Sequence, residues 1–168
     1  MNLSRIAILV AFVCAMVSGS HAEPRPRVVV LPVEGPSGAR VGSALEEILK
    51  RTYAVVPTRD WNTTAKRLSA ETRTAKSLQK VAGKLRIDAI LDASVTKRRG
   101  TYVVLIKLHD GADGSYVGEM TTTSEVSGLD KAARKFVRDE LSPEIAALSE
   151  LRSKARRIKS KRAPEGSR

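Results

Sequence analysis

The sequence is poor in the residues that most chemistry requires. Its only cysteine, Cys14, lies inside the apolar run Ile6 to Val17 of an N-terminal leader, so the chain left after leader removal has none. That excludes disulfide bonds, a thiol nucleophile and a zinc-thiolate centre. Histidine is almost as scarce: His21 belongs to the leader and His109 stands alone. A zinc site or a catalytic triad needs convergent partners that one histidine beside Asp110 does not supply. No apolar run reaches the roughly 20 residues of a membrane span. No internal repeat appears, and the phosphate-loop and dinucleotide glycine spacings are both missing.

The leader itself is clear. Arg5 precedes the apolar run, and Ser18-Gly19-Ser20-His21-Ala22 places small residues before a cleavage point at Glu23. This is the pattern of a secretory signal peptide cut after Ala22, which predicts a periplasmic or secreted product. Cys14 follows Phe12-Val13 rather than small residues, so it does not read as a lipid-attachment site. The expected organisation is a signal peptide over 1–22, one α/β domain with a C-terminal helix over 23–151, and a basic helix end with a disordered tail over 152–168.

Charge is distributed unevenly. The chain carries 30 Lys and Arg against 18 Asp and Glu, a net charge of +12. Between Arg152 and Arg168, eight basic residues face the single acid Glu165, leaving about +4 for the domain once Arg5 is also discounted. The basic character belongs to the tail.

The fold is organised around Ile87 to Glu125. Three runs rich in Val, Ile, Leu, Tyr and Thr are separated by Lys97-Arg98-Arg99-Gly100 and Asp110-Gly111-Ala112-Asp113-Gly114, the pattern of an antiparallel meander. Tyr102, Val104, Ile106 and Leu108 share one face, and the Thr-rich third run suits an edge strand. Upstream, Arg27 to Val33 reads as a strand buried on both sides, Ala39 to Arg51 as an amphipathic helix, and Tyr53 to Val56 as a second strand parallel to the first. Asp60 is expected to cap a helix from Trp61 to about Ala70, and Thr74 to Leu85 forms another. After the meander, Asp130 to Leu141 is amphipathic through Ala133, Phe136, Val137 and Leu141. Ser142-Pro143-Glu144 is expected to restart a helix whose stripe is Ile145, Leu148, Leu151 and Ile158. The predicted architecture is an α/β fold with a mixed five-stranded sheet in order 2-1-3-4-5 and helices on its faces, an anticodon-binding-domain-like topology.

The strand Val30-Leu31-Pro32-Val33, the Gly-containing turn into a helix, Val55-Val56 followed by Arg59-Asp60, the Leu85 to Val95 segment and the Tyr102 to Val117 hairpin resemble the N-terminal domain of TolB and its relatives. These include the curli-secretion protein CsgG, the flagellar protein FlgO and the penicillin-binding-protein activator LpoB. The resemblance covers roughly Arg27 to Leu141. It implies a non-enzymatic periplasmic domain of the cell envelope that binds a protein partner. Where relatives often place glycine in the third strand, this chain has Ala93-Ser94, and it lacks the propeller of TolB and the pore-forming elements of CsgG.

Candidate sites each have a plain structural reading. Gly35 to Ser43 joins a strand to a helix, where backbone N–H groups can hold an anion, but reads better as a turn. Asp110, Asp113 and Gly114 miss the calcium-loop spacing and suit a hairpin turn. Asp88 and Asp92, with Asp60 as a third carboxylate, lack an evident pocket. Trp61 reads as a core residue, and Asn62-Thr63-Thr64 is a glycosylation sequon only in a host that uses one. No catalytic, cofactor or metal site is expected. The alternative to protein binding is attraction of anionic lipid or polysaccharide by Arg152, Lys154, Arg156, Arg157, Lys159, Lys161 and Arg162, with nucleic acid disfavoured by export. A helix end that complements its dipole also accounts for that run.

Overall fold

A computed structural model describes residues 25–125 and 129–162. The signal peptide and its cleavage point, and the tail expected to be disordered beyond Arg162, lie outside these residues. So do the side chains of Ala133 and Ile158. The elements are β1 (Arg27–Val30), α1 (Gly38–Leu49), β2 (Ala54–Val56), α2 (Thr58–Arg67), α3 (Ala75–Leu85), β3 (Ala89–Arg98), β4 (Thr101–Asp110), β5 (Tyr116–Ser124), α4 (Leu129–Phe136), a π-helical turn (Val137–Leu141) and α5 (Ser142–Arg162). The five strands form one sheet in the order β2-β1-β3-β4-β5, as predicted.

β1 is interior, parallel to β2 on one side and to β3 on the other. Its Val28 and Val29 are wholly buried, which explains a run with no polar alternation. The strand is shorter than expected because Pro32 has no N–H to give the ladder. Leu31 N–H still donates to Leu91 O at 2.8 Å, the chain bulges at Pro32, and Glu34 rejoins β3 by donating to Ala93 O at 3.2 Å and accepting from Val95 N–H at 2.7 Å.

The β3–β4 connection is the tight hairpin that Arg99-Gly100 dictates, both residues having positive φ (48° and 86°). The β4–β5 turn is closed by Asp110 and Asp113. Their carboxylates accept from Ala112 N–H at 2.7 Å and Ser115 N–H at 2.8 Å. Hydrogen bonding from Ser115, its side chain first and then its N–H, holds the Asp113 carboxyl below its ordinary pKa. A depressed pKa stabilises the fold above the usual carboxylate range, and this small contribution is lost as pH falls through the folded value.

Two helical layers cover the sheet unequally. Val28, Val30, Leu91, Val104, Ile106 and Leu108 meet α1, α4, the π-turn and α5 on one face. Val29, Leu31, Val56 and Ile90 meet Trp61, Leu78 and Val81 of α2 and α3 on the other. The second layer stops short of the outer meander, leaving Val103 and Leu105 half-exposed and Thr121 and Thr123 exposed.

Three local expectations are corrected. α2 starts at Thr58, so Asp60 lies in its first turn rather than at its cap. Thr58 is drawn in by tertiary bonds, its Oγ1 donating to Val30 O and lying 2.9 Å from Glu46 Oε1. Ser142 does not restart a helix: its φ and ψ of −62° and −41° are helical, and its Oγ donates to Val137 O at 2.8 Å. Pro143 cannot donate to the preceding turn, and the wider π-turn before it absorbs that loss without a break. Finally, the core-facing line that runs from the π-turn into α5 is Leu141, Ile145, Leu148 and then Arg152, whereas Leu151 is 64% exposed. Spacings of four, three and four keep Arg152 on that line and turn Leu151 about 100° away from Arg152.

Candidate partner-binding surfaces

The carboxylates read from the sequence do not form an acid–base pair, because arginines take them. Asp92 pairs with Arg73, which also reaches Glu34 Oε1 at 3.0 Å and donates to Pro32 O at 2.9 Å. Asp88 accepts from Arg27 N–H at 2.8 Å and from Arg152 Nη1 at 2.7 Å. Asp60 stands apart, exposed on α2.

Arg152 is the residue that sequence reasoning misplaced. Expected at the basic end of the chain, it has a side chain only 14% exposed, set against the start of β3 and the end of β4. Nη1 donates to Ile87 O at 2.8 Å as well as to Asp88, and Nη2 pairs with Asp110. One guanidinium thus joins α5 to the starts of β1 and β3 and to the end of β4. Its buried Nε finds no acceptor among the described residues. The boundary expected after Leu151 therefore falls inside α5, one residue before an anchor of the domain. The available signal was the spacing from Leu148, which places Arg152 on the core-facing line. Lys154 is exposed, and the positions of Arg156, Arg157, Lys159, Lys161 and Arg162 follow on the same helix.

The Gly35 to Ser43 segment is built for close packing. A Cβ on Gly35 would stand 1.9 Å from Val95 O, and one on Gly38 2.3 Å from Val33 O. The Gly38 N–H donates to Gly35 O at 3.1 Å rather than pointing to an open cradle. His109 Nδ1 lies 3.3 Å from Gly114 O, and its ring meets Tyr116 edge-on at 6.0 Å. Among the described residues no three His, Asp or Glu side chains gather as metal ligands. Trp61 is 5% exposed, a core residue beneath α2.

Among the described residues two surface features stand open: a cleft of about 450 Å³ beside Pro32, Asn62, Lys66 and Arg73, and the edges of the sheet. β2 offers three residues, whereas β5 offers nine, paired on one side with β4. Tyr116 and Val117 are 54% and 37% exposed at its start. An open groove of about 420 Å³ runs beside it, with Leu108, Val117 and Met120 on the strand side and Asp139, Glu140 and Glu144 on the helical side.

Comparison with known proteins bears on the fold. No protein-family model matches the chain, and no curated protein is similar in sequence. Among solved structures, the C-terminal domain of LpoB from Escherichia coli aligns with a TM-score of 0.51 at 11% identity, over 68% of this chain and 93% of that one. The fold is that of the LpoB C-terminal domain. Lipoprotein GNA1162 from Neisseria meningitidis aligns at 0.47 and 16% identity over 70% of this chain and 99% of its own. TolB from Acinetobacter baumannii aligns at 0.46 and 13% identity, with 66% of this chain covering 26% of TolB. No described helix is long and apolar enough to cross a membrane.

Proposed function

We propose that this chain is an exported, non-enzymatic domain of the cell envelope that binds a protein partner in an accessory role, and that the partner adds a strand to β5. The observation that carries this reading is the nine-residue β5 edge, which begins with exposed Tyr116 and Val117 and borders a groove with apolar residues on its strand side. An added strand gains main-chain hydrogen bonds without any special side chain, and the groove supplies pockets for alternate residues. The LpoB-like fold and the signal-peptide pattern are consistent with an envelope location. Photo-cross-linkers at Val117, Glu119 and Thr121 should capture an envelope protein, whereas the same group at Lys50 or Lys80 on the helical faces should not. Capture confined to the helical positions would refute strand addition.

A second reading concerns the basic half of α5. Each Lys or Arg held near an anionic membrane surface contributes on the order of 1 kcal/mol at low salt. Exposed Lys154 and the five basic positions that follow are the candidates, Arg152 being committed to the sheet. The chain from Glu23 should bind anionic vesicles or a heparin-like polymer at low salt and release them near 1 M salt. Stopping it after Ser153 should remove most of that binding and leave the melt unchanged. Equal retention of both forms would show that the tail is not the binding element.

A further inference from the structure

The groove beside β5 has two features that the fold itself does not require. His109 pairs with Tyr116 and Leu108 with Gly118, so Val117 is the extra residue of a β-bulge, and from Gly118 to Ser124 the pairing with β4 is regular. The outer side of that stretch presents an even row of backbone N–H and C=O groups. Gly118 begins it and lines the groove between Val117 and Met120, opposite buried Leu108. Its φ is not positive, and a Cβ there would meet nothing within 4 Å, so neither backbone conformation nor packing within the chain calls for glycine. In a strand, such a glycine often marks the close approach of a ligand or another backbone. Across the groove, Asp139 is held by Arg138 Nε at 2.7 Å, but the side chains of Glu140 and Glu144 are exposed and make no ion pair among the described residues. The π-turn continues one helical run from Leu129, so both acids lie inside that run rather than at its start, and the helix dipole does not account for them.

We propose that the segment added to β5 is basic: an extended stretch of a partner protein that sets an apolar side chain over Gly118 and a Lys or Arg, at an alternate position on the same face, against Glu140 and Glu144. This rests on the strand addition proposed above and names the chemistry of the added strand. Alternate residues of a strand share a face, so one face can meet both the apolar strand side of the groove and its carboxylate side. An acidic segment would be repelled there, and a wholly apolar one would cover two carboxylates without supplying counter-charge. The chain as a whole favours the opposite choice. Removing Arg5 from the net +12 leaves +11, a charge that attracts acidic peptides in general. A preference for basic peptides therefore reports a local site.

Selecting binders from a displayed library of random short peptides on the chain from Glu23 to Arg168, which contains every described residue, tests this. Selected peptides should carry Lys or Arg at alternate positions, and when bound they should slow hydrogen exchange at β5 amides between Gly118 and Ser124. Joint replacement Glu140→Gln and Glu144→Gln should weaken the tightest of them about tenfold or more and leave the melt unchanged, both acids being exposed. Glu140→Lys with Glu144→Lys should transfer the preference to the same peptide with Glu in place of its Lys and Arg. Gly118→Val should also weaken binding without lowering the melt, because its side chain enters open space in the groove. Peptides that protect β5 with no basic preference, or with an acidic one, would overturn this inference and leave strand addition standing, as would equal binding by the double Gln variant. Basic peptides that leave the β5 amides exchanging freely would show a helix or a surface contact instead and would overturn both. A library that yields no β5-protecting peptide would do the same.

Discussion

Replacing Arg152 with alanine is expected to lower the stability of the domain by about 3 kcal/mol, the lower end of the cost of breaking a buried ion pair. The guanidinium is 14% exposed and its carboxylate partners Asp88 and Asp110 are 16% and 22% exposed, so water compensates only in part. Ile87 O also loses a donor. For a domain of this size the melting temperature should fall by about 10 °C. Lys154→Ala, one helical turn further on and exposed, should change stability by less than about 0.5 kcal/mol. Chain terminations sharpen the test: stopping after Ser153 should keep the melt, and stopping after Leu151 should reproduce the loss. An Arg152→Ala melt within 2 °C or so of wild type would show that Leu141, Ile145 and Leu148 hold α5 unaided.

A comparable loss is expected at Gly35. Its φ is +96°, and an added Cβ would lie 1.9 Å from Val95 O, far inside the contact distance of a carbon and an oxygen, against a backbone atom of β3 rather than a flexible side chain. Gly35→Ala should therefore cost about 3 kcal/mol or more, combining backbone strain with overpacking. Gly100 provides the control, with a similar φ of +86° and open space around its Cα. There alanine should cost about 1 kcal/mol, the conformational penalty alone. Urea denaturation of the two variants separates the contributions. Equal losses would mean that φ rather than the contact with β3 decides the glycine at position 35.

Much of the sheet was legible because its signals are local. An unbroken Val28-Val29-Val30 run can be satisfied only by burial on both sides. Short connections through α1 require β1 and β2 to be parallel, and Arg98-Arg99-Gly100 closes a hairpin. Those constraints leave the order 2-1-3-4-5 as the arrangement in which the meander extends from β1. The alternation of Tyr102, Val104, Ile106 and Leu108 likewise marks the face that meets α4 and α5. Local signals failed where one residue type has two uses. Asp60 is a strong cap in isolation, but Thr58 is fastened to Val30 and Glu46, and the helix begins there. Ser142-Pro143 looks like a new start, yet a π-turn carries the helix through.

The strands, their order and the faces of α1 and α3 could be read from the sequence, because each follows from periodicity or turn chemistry within a few residues. Only the tertiary structure decided which of the clustered basic residues belongs to the domain and which apolar residue of α5 faces solvent. Arg152 and Lys154 are both cations in a cationic run. They differ because Asp88, Asp110 and the Ile87 carbonyl converge beneath α5 from positions 42 to 65 residues away in the chain. Leu148 and Leu151 are equally apolar, and one is buried because the sheet lies on its side of the helix. Contacts that distant depend on how whole elements pack, which no short-range pattern encodes.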